Sequence, residues 1–165
     1  MKTHFVMMAN YNAWANERLF RTAGSLRDDL YGKDVGAYFK SLRGTLNHLL
    51  TADRIWMRRL TGAGEHPDKL NAILFDDLPS LHAARRIEDR RLVDFVQGLG
   101  EPDFESMREY KTLNGVSQSQ PLREILAHVF NHQTHHRGQA HAILTTLGVA
   151  EPEPLDLLIM QRAPR

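Results

Sequence analysis

The sequence predicts an all-α fold, a four-helix bundle with a small hairpin-like insertion before the last long helix. Apolar residues recur at alternating steps of three and four along four long stretches, the period of a helix with one buried face. Breaks containing Gly and Pro separate the stretches. Only the region around Asn114-Gly115 follows a different pattern, that of a tight hairpin. With 165 residues and neither repeats nor long linkers, a single domain over 1–165 is expected, large enough to bury a core without cross-links.

The first helix is expected from about Lys2 to Leu26, where Met8, Asn12, Ala15, Leu19, Thr22 and Leu26 form one stripe. Gly32 and Gly36 bracket a turn. A second helix is expected from about Val35 to Leu60, with Leu42, Leu46, Leu49, Ala52, Trp56 and Leu60 inward, before Thr61-Gly62-Ala63-Gly64 stops it. Residues 62–78 read as loop. Asp77 and Pro79 open a third helix, because proline is tolerated in a first turn, and Gly100 ends it. Its basic pairs Arg85-Arg86 and Arg90-Arg91 alternate with Glu88, Asp89 and Asp94, which reads as a solvated face. Pro121 opens the fourth helix, which runs to Leu147 and stops at Gly148. After Glu151-Pro152-Glu153-Pro154, the apolar piece Leu155–Met160 forms a final turn or two.

Composition excludes several functions. There is no cysteine, so disulfides, thiolate metal sites and a cysteine nucleophile are ruled out. Twenty-one Lys+Arg against twenty Asp+Glu gives no basic footprint for a nucleic acid or an anionic membrane. No apolar run approaches the roughly 20 residues of a membrane span, and the N-terminus lacks a signal-peptide core. A cytoplasmic protein is expected.

The chemistry concentrates in the fourth helix, where His128, His132, His135, His136 and His141 fall within four turns. Imidazole is the commonest side-chain metal ligand, and residues four apart share a helix face. His136 lies near the centre of the core stripe and His132 at its edge. His128–His132 has the same spacing but lies further from the core axis, as does His135. His48, on the flank of the Leu49-centred stripe of the second helix, can reach the same seam. Two histidines from one helix and a third from its neighbour make a tripod, a ligand set that leaves a catalytic divalent ion an open position. Glu-x-x-His, His-Glu-x-x-His, Gly-rich phosphate loops and a Gly-x-Ser-x-Gly elbow are all missing.

Four pieces in order carry a resemblance. They are Tyr11-Asn12-Ala13-Trp14-Ala15-Asn16; Leu46-Asn47-His48-Leu49-Leu50 with Asp53 and Trp56; the hairpin leading into Pro121-Leu122; and the run from His128 to Gln139. In these the chain resembles the DinB-like family of metal-binding bundles, which includes the bacillithiol S-transferase-like proteins. The resemblance implies a four-helix bundle, metal ligands His48, His132 and His136, zinc or nickel as the ion, and a homodimer. It also implies chemistry on a small-molecule substrate with a low-molecular-weight thiol. The function expected is a metal-dependent transferase or hydrolase-like enzyme using thiol or water as nucleophile. The alternative is a non-catalytic metal-binding bundle of the stress response. Gln139, one turn beyond His135, is a candidate to orient substrate, and Arg137 to meet a substrate carboxylate at the mouth. Asp53, inside the second helix's core stripe, needs a partner: either the free ring nitrogen of a ligand histidine or a buried arginine.

Overall fold

The computed structural model describes residues 1–163. Helix α1 spans Lys2–Ala23, a single turn α2 Asp28–Tyr31, α3 Leu42–Thr61, α4 Leu78–Gly98, α5 Leu122–Thr146 and the short α6 Leu157–Arg162. Between α4 and α5, a 3-10 turn at Glu101–Glu105 leads into strands β1 (Met107–Lys111) and β2 (Ser117–Pro121), paired antiparallel. The four long helices form the bundle, with the hairpin at the expected place.

Side chains set the helix ends. Ser41 Oγ accepts from Gly44 N at 3.1 Å and Asp77 Oδ1 from Ser80 N at 2.8 Å, each satisfying one amide that the first turn leaves without a partner. Gly62 closes α3 at φ 71°, a left-handed conformation that glycine adopts without steric cost. Among the boundaries that differ from expectation, α1 ends at Ala23 rather than Leu26, α6 runs Leu157–Arg162 rather than Leu155–Met160, and the starts of two long helices move. The second long helix starts at Leu42 rather than Val35, because Val35–Lys40 closes a tight turn through Val35 N→Lys40 O and Lys40 N→Ala37 O, both 2.8 Å. Pro121 ends β2 rather than opening α5; proline lacks an N–H, and an edge strand tolerates that.

Contacts between helices fix their directions. Phe5 stacks on Phe130 and Asn12 meets Arg137, so α1 and α5 ascend together. Asp53 meets Arg85 and Thr61 meets Arg91, so α3 and α4 ascend together. His48 lies beside His136 and Trp56 beside His128, so α3 and α5 are opposed. Parallel α3 and α4 require the connection 62–77 to travel back along the bundle. Asn47 anchors its far end: its side-chain Oδ1 accepts from the backbone N of Leu74 (2.8 Å) and Phe75 (3.0 Å), and its Nδ2 donates to Phe75 O at 3.0 Å.

The core has two apolar halves. Leu19, Phe20, Leu46, Leu49, Leu81 and Leu144 belong to one; Phe5, Met57, Leu92, Val96, Leu126 and Phe130 to the other. Between them lies a buried polar belt to which every long helix contributes: Asn12 and Asn16, Asp53, Arg85 and Asp89, Gln133 and Arg137. The belt corrects the expectation of a solvated face on α4. Arg85 is wholly buried and Glu88 and Asp89 nearly so, while Arg86 and Arg90 face solvent. A buried arginine persists only where carboxylates and carbonyls replace its water.

Candidate metal centre

His48, His132 and His136 come together where α3 and α5 meet, each offering a ring nitrogen within 4.8 Å of the other two. The rings of His132 and His136 lie 4.3 Å apart between centroids, and His48 lies 4.4 Å from His136 and 5.0 Å from His132. The opposed course of α3 and α5 brings His48 to the level of the pair one helical turn apart on α5.

Hydrogen bonds determine which nitrogens face inward. His48 Nδ1 lies 2.8 Å from Leu70 O. A carbonyl only accepts, so Nδ1 carries the proton and a neutral ring directs its Nε2 lone pair at the cluster. His136 Nδ1 lies 2.7 Å from Gln139 Oε1, while Gln139 Nε2 lies 3.2 Å from His135 Nε2. In this orientation of the amide Oε1 only accepts, so His136 donates from Nδ1 and keeps Nε2 free. His48 Nε2 and His132 Nε2 are 3.1 Å apart, close to the roughly 3.3 Å expected of two nitrogens bound tetrahedrally at ~2.0–2.1 Å from one ion.

All three rings are held neutral, the state a ligand requires. Burial, opposed by the Leu70 hydrogen bond and reinforced by His136, lowers His48 to about 4. Burial, with His136 and His48 adding repulsion, lowers His132 to about 3. Burial also lowers His136, against the pull of Gln139. Neutral imidazoles whose ring nitrogens converge, two of them with an outward hydrogen bond, fit a divalent cation, so the cluster can hold a metal ion.

The other sequence candidates fall in different places. Gln139 supports His136 instead of standing free to meet a substrate. Arg137 is not at the mouth: it is 2% exposed, bonded to Asn12 and Asn16 in the belt and over the Tyr11 ring. Asp53 takes the arginine of its two expected partners. Its Oδ2 lies 2.8 Å from Arg85 Nη2, an ion-pair contact bent away from hydrogen-bond geometry, and its Oδ1 accepts from Gln133 Nε2 at 2.7 Å. His128 packs on Trp56, and no fourth His, Asp or Glu joins the cluster among the described residues. His141 bonds Glu153 O at 3.1 Å, a structural role.

Phe39 was hidden in the sequence, since nothing in its spacing points to the histidines. Its ring stacks on His48 at 3.9 Å and lies 5.5 Å from His136. Gly44 makes that approach possible: a Cβ there would sit 2.0 Å from Phe39 O. A glycine three residues beyond a capping serine, inside the first turn of a helix, was the available signal.

A family model described as the DinB family matches residues 1–163. Protein DinB of Bacillus subtilis (strain 168) is 29% identical over 149 residues, covering 85% of this chain and 84% of that protein. The crystal structure of a DinB-like protein from Bacillus cereus ATCC 10987 superposes with a TM-score of 0.64 over 81% of this chain and 86% of that one. At 18% identity this match speaks for the fold.

Proposed function

The chain belongs to the DinB family, and from that premise we propose that it is a cytoplasmic metal-dependent enzyme, a transferase or hydrolase-like catalyst with a small thiol or water as nucleophile. The observation that carries this is the donor set: three neutral imidazoles converge, and no fourth side chain closes the shell among the described residues. Structural zinc sites ordinarily have four protein ligands, whereas catalytic ones keep a position open. Zinc or nickel suits three imidazoles. When bound, such an ion supplies Lewis acidity that makes water or a thiol acidic near neutral pH.

The chain's own residues do the positioning. Leu70 O and Gln139 Oε1 hold protons on the outer nitrogens of His48 and His136, fixing both tautomers and raising the basicity of the inner nitrogens. Phe39 covers one face of His48 and keeps water from that side. With no cysteine in the chain, a reacting thiol comes from solution. The homodimer implied by the resemblance belongs to the same proposal, and sedimentation at the mass of a single chain would remove it.

Metal analysis of protein purified without a histidine tag tests the site. The wild type is expected to carry one divalent ion per chain, and His48→Ala and His136→Ala to lose it. Full occupancy in both variants would overturn the assignment.

A further inference from the structure

Helices α3 and α5 supply all three histidines, and one amide ties the two helices together. Among the described residues, the side-chain hydrogen bonds between α3 and α5, apart from the approach of His48 to His132, all come from Gln133. Its Nε2 donates to Leu49 O at 2.9 Å and to Asp53 Oδ1 at 2.7 Å, both on α3. The anchor points adjoin the site. Gln133 follows His132 and stands three residues before His136, and Leu49 follows His48. Gln133 is wholly buried, so water does not compete for these bonds.

Burying the amide carries a penalty. Gln133 Oε1 is buried with no partner, and an acceptor left so weakens a fold. Such a group calls for an explanation in what its residue does. The partners of Gln133 do not depend on it for stability: Asp53 Oδ2 has Arg85 Nη2 at 2.8 Å, and Leu49 O has Arg85 Nη1 at 3.4 Å. Gln133→Met would fill the same space and remove the orphaned oxygen.

What the amide adds is direction. Apolar contacts between helices are non-directional and tolerate small slips. Ligand nitrogens have less latitude, because metal–nitrogen distances hold to about ±0.2 Å. His48 stands alone on α3, so a slip of α3 along α5 moves one ligand against the other two. Leu49 and Asp53 lie one turn apart on α3, and bonds to both oppose a slip in either direction.

We propose that Gln133 is a positioning residue for the metal centre, its amide locking α3 against α5 so that His48 meets His132 and His136. The inference deepens the proposed metal site and rests on it for the ion. Asp53 serves the lock only through an acceptor oxygen, which Asp53→Asn would keep.

The test compares Gln133→Met with Leu92→Ala, a cavity variant in α4 that lowers stability from outside the α3–α5 seam. In metal-free protein, nuclear Overhauser contacts between the His48 and His132 rings are expected in the wild type. They should weaken in Gln133→Met and persist in Leu92→Ala. In competition with a chelator, Gln133→Met should bind cobalt(II) about tenfold more weakly, with an altered visible spectrum as His48 leaves the ion. Leu92→Ala should match the wild type in both. Gln133→Asn, one methylene too short to reach α3, should move every readout the same way, and it decides the question if Gln133→Met does not fold. Wild-type ring contacts or a wild-type cobalt spectrum in the Gln133 variants would overturn the proposal. Equal changes in Leu92→Ala, or failure of both Gln133 variants to fold, would make Gln133 a stability residue and overturn it too. Failure of the wild type to bind cobalt would instead strike the metal centre, and the ring contacts then decide the lock.

Discussion

Two polar clusters sit side by side in this bundle, and α3 and α5 supply residues to both from adjacent registers. On α5, His132 and His136 point to the seam with α3, while Gln133 and Arg137, one residue on, point into the belt. On α3, His48 serves the first cluster and Asp53 the second. The belt is paired mainly within itself: Arg85 contacts Asp53 at 2.8 Å and Asp89 at 3.0 Å, Asn12 and Asn16 both donate to Asp89 Oδ1, and Gln133 joins Asp53 to the Leu49 carbonyl, with Arg85 Nε and Gln133 Oε1 left over. The histidine cluster is open: the outer nitrogens of His48 and His136 are bonded, and a nitrogen from each of the three rings faces the others. Groups that spend their hydrogen bonds on each other hold a fold together, whereas lone pairs turned inward are available to a ligand.

If that division is right, the two clusters respond to mutation in opposite ways. The largest effect is expected from Arg85→Ala, which leaves Asp53 and Asp89 buried without the guanidinium that contacts both and should cost about 3–5 kcal/mol in denaturant unfolding. Asp53→Asn should lower stability less and leave metal affinity unchanged; a matching loss of affinity would mean that the clusters are not separate. Next comes Gln139→Leu, which removes the acceptor from His136 Nδ1. It should weaken metal binding about 10–100-fold, measured by competition with a chelator, with little change in the unfolding midpoint of metal-free protein.

Gly44→Ala sharpens the comparison from the side of the site's wall. Alanine normally gains about 1 kcal/mol over glycine inside a helix, but here its Cβ would lie 2.0 Å from a backbone oxygen. Overpacking should win, at about 1–3 kcal/mol, and move Phe39 off His48, which proton chemical shifts of the two rings would register.

The smallest effect is in pH dependence. His48 and His132 are depressed to about 4 and about 3 from 6.5, so their contribution to stability is complete above pH 6.5 and lost as pH falls toward those values. Asp53 is raised to about 6, mainly by burial against the pull of Arg85, so it works in the opposite sense and is relieved as pH falls through 6. Metal-free protein should therefore lose thermal stability from pH 6.5 to pH 4. The double variant His48→Ala/His132→Ala should lose less, and an identical slope would remove the histidines as the cause.

Much of this was legible in the sequence, for physical reasons. Leu42, Leu46 and Leu49 disclose α3 because burial imposes the helical period, and Asn114-Gly115 discloses the hairpin because few residues fit that turn. His132 and His136 are neighbours by helix geometry alone, and His48 could be placed at a seam. Arg85 was misread because an arginine flanked by acids looks the same on paper whether the acids are its solvated neighbours or its buried partners. The roles of Leu70 and Phe39 were invisible: Leu70 acts through a backbone carbonyl, and Phe39 through a tight turn that depends on a glycine five residues away. Arg137 looked like a pocket residue because it adjoins His136 in sequence, yet one residue on a helix is a turn of about 100°, enough to move it from seam to interior.

X-ray absorption on zinc- or nickel-loaded protein tests the open site most directly. Scattering from three imidazoles plus non-histidine light atoms is expected, falling to two imidazoles in His48→Ala. A fourth imidazole, lost on substituting His128 or His135, or an unchanged spectrum in His48→Ala, would contradict it.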